Sequence, residues 1–282
     1  MKKIALLLSI ALVQLFANAQ DTIRVMSFNI RYNNPGDGEH AWPNRKEMAA
    51  QQIIDHKVDL LGVQEALNDQ VEDLKRLLPG YAQIGVGRDD GKEKGEYTAI
   101  YYNTARLELL QSGNFWLSET PDIPGSKGWD AAITRMVTWA QFRDLQTGKK
   151  FWHFNTHYDH IGKEARRQSS HLFLSKIAEM AKKEPAVVTG DFNAGPLEEP
   201  IQILLNTKDK KHLINSYTVS KTTPTGPKGS FHGFKGAPRS DYPIDYIFLK
   251  GKWKVLNHQT IPEPVKGKYT SDHLPVLATL QL

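Results

Sequence analysis

The sequence predicts an α/β protein in which mixed β-sheets are sandwiched with a small number of helices. Three observations lead there. Nine short apolar segments have the length and composition of strands. Four segments have the spacing of helices. The two kinds do not alternate strictly, as a doubly wound parallel sheet would require. The strands are expected over residues 22–30, 58–63, 97–102, 133–142, 150–155, 186–189, 246–249, 253–261 and 275–280. Pro43 at a first turn opens a helix to about residue 56. Asn68 caps a second to about 78, a third and longest runs over 162–182, and a shorter fourth over 197–206. Residues 88–94 are charged and glycine-flanked, and 119–130 hold two prolines and two glycines. Residues 215–243 hold four prolines, and a loop that long in a compact domain usually carries function.

The start of the chain reads as an export signal. Lys2 and Lys3 precede an apolar run over 4–16, and Ala17-Asn18-Ala19 is a small-x-small cleavage pattern. The run is too short to span a bilayer, no second one follows, and stable membrane insertion is not expected. Cleavage after Ala19 leaves residues 20–282 as a single domain, exported to the periplasm or beyond. There is no cysteine, so disulfides, a thiolate nucleophile and cysteine-ligated zinc are all excluded. The net charge of +5 falls to +3 without the two leader lysines. That suits an anionic substrate but lacks the clustered basic face of a nucleic-acid binder. No obligate protein partner is evident.

Unusual polar residues gather at strand boundaries. Asn29, Glu65, His157 with Asp159, and Asp191 with Asn193 close four strands. Asp245 and the pair Asp272-His273 open two others. If those two run antiparallel to the four, all six positions meet on one rim, where open α/β sheets bind ligands. Asn29, Glu65 and Asp272 offer one neutral and two anionic oxygen ligands, a set suited to Mg²⁺ or Mn²⁺. Asp191 can take a proton from an attacking water, with the Asn193 amide fixing its orientation. His157 and His273 are candidates to donate to phosphate oxygens, and Asp245 to keep one imidazole charged. An exported phosphoesterase follows. A carbohydrate-active hydrolase using Glu65 with Asp191 is the competing enzyme class, and an inactive binding protein the non-enzyme one.

Six segments appear in a fixed order: Met26-Ser27-Phe28-Asn29, Gln64-Glu65, Asn155-Thr156-His157, Gly190-Asp191-Phe192-Asn193, Ile244-Asp245-Tyr246-Ile247 and Ser271-Asp272-His273-Leu274-Pro275. Together they resemble the endonuclease/exonuclease/phosphatase superfamily, the fold of DNase I and of inositol polyphosphate 5-phosphatases. The resemblance implies a four-layer sandwich: two packed mixed β-sheets with helices outside. It implies metal binding at Asn29, Glu65 and Asp272, a water-activating Asp191 held with Asn193, and His273 paired with Asp245 at the scissile phosphate. It also implies that His157 contacts that phosphate, that Glu96 orients His157, and that Arg135 is a phosphate contact.

The loops expected to meet the substrate are more aromatic than basic. Trp129, His232 with its neighbours Phe231 and Phe234, and residues 115–117 are candidate walls, with Tyr158, Asp159 and His160 bordering the pocket. Arg166, on the longest helix, is expected to be solvated. Modest charge and aromatic loops favour a compact phosphorylated molecule over duplex nucleic acid; an endonuclease remains open.

Overall fold

The computed structural model describes residues 21–263 and 267–282; the expected signal peptide lies outside the described residues. Twelve strands and four α-helices follow in the order β1 (Thr22–Asn29), α1 (Lys46–Asp55), β2 (Leu60–Gln64), α2 (Asn68–Leu77), β3 (Tyr81–Ile84), β4 (Ile100–Asn103), β5 (Leu107–Trp116), β6 (Met136–Asp144), β7 (Lys150–His157), α3 (Lys163–Ala181), β8 (Ala186–Asp191), α4 (Glu199–Leu205), β9 (Ile214–Asn215), β10 (Asp245–Lys250), β11 (Lys254–Thr260) and β12 (Val276–Gln281). They form two six-stranded mixed sheets, ordered β11-β12-β1-β2-β4-β3 and β5-β6-β7-β8-β10-β9.

The period of two along each strand divides its side chains between two cores. In β1, Ile23 and Val25 point into the layer between the sheets, while Met26 and Phe28 point outward beneath α1 and α2. In β8, Val187 points into the shared layer, while Ala186 and Val188 pack under α3 and α4. Four layers result, as expected. The same period explains why the central strands read as near-continuous apolar runs: both faces are covered.

Three strands were not expected. β5 has the polar run Gln111-Ser112-Gly113-Asn114 at its centre because it is an edge strand with one open side. There Gly113 leaves room for the Trp139 ring, which a Cβ would meet at 2.5 Å. β3 is short and only half-buried, and β9 has two residues. The strand expected from residue 97 begins at Ile100; Tyr97 makes only isolated bridges to Ala66 and Gly87.

Between the sheets, the inner face changes character along the strands. One end is apolar, built from Ile23, Leu60, Phe151, Val187, Ile247 and Val276. Further along the same face of β2, β7 and β8 come Gln64, Asn155 and Thr189. Asn155 fills all four of its hydrogen-bonding positions. Its Nδ2 donates to the carbonyls of Val63 (2.8 Å) and Ala99 (2.9 Å), and its Oδ1 accepts from Gln64 Nε2 (2.7 Å) and Thr189 Oγ1 (2.9 Å). One carboxamide from the second sheet thus ties down β2 and the approach to β4 in the first. Gly62 makes the close approach possible, since a Cβ there would lie 2.1 Å from Thr189 Oγ1 and 2.5 Å from Asn155 Oδ1. Replacing Asn155 by Leu removes one donor from each of two buried carbonyls and one acceptor from each of Gln64 and Thr189, at a cost of about 3 kcal/mol or more. Gly62→Ala should cost about 1–3 kcal/mol through overpacking. Urea denaturation followed by circular dichroism measures both, and wild-type midpoints would contradict this account of the seam.

Candidate active site

The strand directions bring the six polar positions together. β1 and β2 are parallel, as are β7 and β8; β12 is antiparallel to β1, and β10 to β8, with Asp245 opposite Asp191. Exits of four strands and entries of two therefore share one rim. They line a cleft of about 450 Å³ that contains Glu65, Glu96, Arg135, His157, Asp191, Asn193, Asp272 and His273. Three cleft residues, Arg31, Glu65 and Asn193, hold positive φ angles of 57°, 64° and 47° just beyond their strands. Left-handed backbone at non-glycine residues is strained, and it turns these side chains back over the rim.

Asp191 is the hub. Its Oδ1 accepts from the Asn193 backbone N–H at 2.9 Å and its Oδ2 from Asn29 Nδ2 at 3.0 Å. Burial first, and then the negative charge of Asp245, push its pKa up to about 7 against the pull of His273. Asn29 departs from expectation. Its Oδ1 accepts from the Arg31 backbone N–H, which turns Nδ2 toward Glu65 Oε1 at 3.0 Å. It is thus a donor bracing two carboxylates rather than an oxygen aimed into the cleft.

The two histidines have opposite characters. His273 Nδ1 donates to Asp245 Oδ2 at 2.9 Å, and the same oxygen accepts from Ser230 Oγ at 2.6 Å. Burial alone would lower the His273 pKa, but Asp245 and then Asp191 hold it well above the ordinary value, so the ring is cationic. His157 goes the other way: burial, and then the positive charges of Arg135 and Arg88, keep it well below the ordinary value, so the ring is neutral. Asn193 Nδ2 donates both to the Tyr158 carbonyl and to His157 Nε2, each at 3.0 Å. A carbonyl can only accept, so the amide orientation is settled, and His157 Nε2 is an acceptor with the proton on Nδ1. Glu96 does not hydrogen-bond that Nδ1: it stands 4.0 Å away and bonds to Arg88 at 2.5 Å. Asn193 therefore orients His157 where Glu96 was expected to.

Arg135 is buried, with Nη2 3.2 Å from His160 Nδ1 and Nε 3.6 Å from Asp159. Its Nη1 is also buried and makes no hydrogen bond. Of the expected walls Phe231 lines the cleft, while Trp129, His232, Phe234 and residues 115–117 lie outside its lining. Trp129 is half-buried and donates its backbone N–H to Glu119, while His232 is fully buried with Nε2 3.2 Å from Glu263 Oε1. His232 instead supports the site through its backbone: the N–H groups of His232 and Gly233 both donate to the Asp272 carbonyl at 3.0 Å. Arg166, expected in solvent, is buried and donates to the Asp159 carbonyl.

Sequence reasoning missed Arg31 and Tyr32 in the cleft. Arg31 pairs with Asp37 at 3.0 Å and lies within about 4 Å of both Glu65 and Asp272. The only signal was its place two residues beyond Asn29, in a stretch with no periodicity to mark it.

Glu65, Asp191 and His273 offer ligand atoms within 4.8 Å of one another, a group able to hold a metal ion. Of the expected set of Asn29, Glu65 and Asp272, Glu65 belongs to this group and Asp272 lines the same cleft. The donor chemistry fits a hard divalent cation. Carboxylates from Glu65, Asp191 and Asp272 share one cleft, and burial raises the pKa of both aspartates against the opposing positive charge of His273. His273, already cationic, is better suited to the substrate than to the metal.

Fold and cleft together define a DNase I-like α/β sandwich with an acid–imidazole site at the sheet rims. Residues 26–273 match the Endonuclease/Exonuclease/phosphatase family, and the chain belongs to that family. An endonuclease/exonuclease/phosphatase from Bacteroides vulgatus is 43% identical, with a TM-score of 0.88 over 93% of this chain and 99% of that one. A mannosyl-6-phosphatase from Bacteroides thetaiotaomicron is 37% identical, with a TM-score of 0.87 over 92% of this chain and all of that one. An uncharacterized protein of Acanthamoeba polyphaga mimivirus is 26% identical over 90% of this chain and 98% of its own length.

The raised Asp191 pKa has a consequence for stability. Between the ordinary value of 3.8 and about 7, the folded protein holds a proton that the unfolded chain has released. This contribution therefore falls as pH rises through that window. In EDTA at pH 8, Asp191→Asn should melt about 3 °C or more above wild type, with the gap closing toward pH 4. Scanning calorimetry checks it, and equal melting at pH 8 would deny the buried charge.

Proposed function

We propose that this protein is an exported, divalent-cation-dependent phosphatase that hydrolyses a phosphate monoester of a small, sugar-like molecule. The observation that carries the proposal is the meeting of Glu65, Asp191 and His273 within 4.8 Å, in a cleft that Arg135 also lines. Acidic groups for a cation and a buried guanidinium for an anion, in one cleft, suit a substrate carrying several oxygens.

In this reading Asp191 accepts the proton of the attacking water, fixed by the donors Asn193 and Asn29. His273, kept charged by Asp245, donates Nε2–H to a phosphoryl oxygen. Arg135 binds a second oxygen. His157, neutral with Nε2 as an acceptor, is not the donor first expected of it; with Asn193 it borders the attacking side. Glu65 and Asp272 would hold an Mg²⁺ or Mn²⁺ beside Asp191, and the ion would neutralise charge on the phosphoryl oxygens. The compact cleft and the 37% identity to a mannosyl-6-phosphatase support a sugar phosphate. Lys2-Lys3, the apolar run after them and Ala17-Asn18-Ala19 support export.

Phosphate release from mannose 6-phosphate, run beside a strand-nicking assay, tests the reading. Mg²⁺ should restore turnover that EDTA abolishes. Asp191→Asn should lose at least about a hundredfold in kcat, and Asp245→Asn about tenfold or more. Wild-type turnover by Asp191→Asn, or full activity in EDTA, would end the assignment; nicking without sugar-phosphate turnover would replace the phosphatase with a nuclease.

A further inference from the structure

A second cavity, of about 250 Å³, is lined by chain neighbours of cleft residues. Pro243 and Pro196 line it, while Ile244 and Asn193 line the cleft. Consecutive Cα atoms are about 3.8 Å apart, so Pro243 lies within about 4 Å of Ile244 and Pro196 within about 11 Å of Asn193, Cα to Cα. Tyr246 braces the two loops: its hydroxyl lies 2.9 Å from both the Ala194 and Pro243 carbonyls and shares its one hydrogen between them. The ring of Tyr242 lies on the backbone of Gly195, where a Cβ would stand 2.7 Å from it.

Tyr217 and Tyr242 line this cavity yet remain 41% and 46% exposed. Asn215, Thr218, Lys228 and Asp241 complete it. Apolar rings with a few polar groups at the edge are the usual make-up of a small-molecule site. The charges of Lys228 and Asp241 cancel. A nucleic-acid strand leaving the cleft would carry its next phosphate here, against Asp241 with one lysine to offset it. A neutral polyhydroxylated unit meets no such penalty: its C–H face packs on a tyrosine ring and its hydroxyls reach the amide, hydroxyl and charged groups.

We infer that this cavity is a distal saccharide subsite, and that the substrate is a phosphorylated oligosaccharide whose second sugar lies between Tyr217 and Tyr242. The inference rests on the phosphatase reading for the position of the phosphate, and adds the class of leaving group. Binding energy from the remote sugar then holds the phosphate in place.

The test compares mannose 6-phosphate with mannobiose phosphorylated on its non-reducing residue. Wild type should prefer the disaccharide by about tenfold or more in kcat/KM. Tyr242→Ala and Tyr217→Ala should each lose most of that preference, and Tyr242→Phe should keep it. A second arm needs no turnover: unphosphorylated mannobiose is titrated into Asp191→Asn, with and without Tyr242→Ala, and its binding is read by saturation-transfer NMR. A transfer signal that disappears with the Tyr242 ring sustains the subsite even if neither sugar phosphate is hydrolysed, in which case only the phosphatase reading fails. Equal kcat/KM for the two sugars, a transfer signal indifferent to Tyr242, or a Tyr242-dependent preference for a dinucleotide overturns it.

Discussion

The separation of the two sheets is set at the rim by one side chain, Asn155. Its carboxamide meets two backbone carbonyls of the first sheet and two side-chain donors, so all four of its own hydrogen-bonding positions are filled. The apolar residues deeper in the layer press the sheets together without fixing their register. A polar contact with four partners tolerates little displacement. His157 lies two residues further along β7 on the same face, and Asp191 two beyond Thr189 on β8. The reactive groups are therefore the last rung of a ladder whose spacing is already determined.

That placement also accounts for the electrostatics. The rim lies at the edge of an apolar layer, so its charges are poorly solvated and depend on one another. His273 and His157 face the same aspartate at 3.8 and 3.5 Å, yet one is held charged and the other neutral. The difference lies behind the rings: an aspartate stands behind His273, and two arginines lie near His157. A carboxylate that resists ionisation beside an imidazole that resists neutralisation is the usual sign of groups tuned for acid–base work.

Much of this was legible in the amino-acid order. The covered strands announced themselves as apolar runs, and the polar residues that ended or opened them were those that meet in the cleft. Edge strands were harder: β5 is half in solvent, so its pattern at residues 111–114 resembles a loop. Side-chain direction was beyond reach as well. Nothing in the sequence distinguishes an Asn29 that offers oxygen from one that offers nitrogen; the Arg31 backbone decides it. Trp129 and His232 misled for a related reason. Aromatic residues in a long loop suit a wall or a plug equally, and His232 is the plug, its backbone holding Asp272 in place.

The antiparallel placement of β10 and β12 divides the labour among the loops. Asp245, Asp272 and His273 stand at or before strand entries, so the segments delivering them arrive from outside the sheets, whereas Glu65 and Asp191 are reached from within. The stretch between β9 and β10 supplies Phe231 and Ile244 to the cleft and Tyr217 and Tyr242 to the hollow beside it. Changes of length or composition there would reshape what enters the site while its reactive atoms stay anchored, so relatives can diverge in diet without relearning their chemistry.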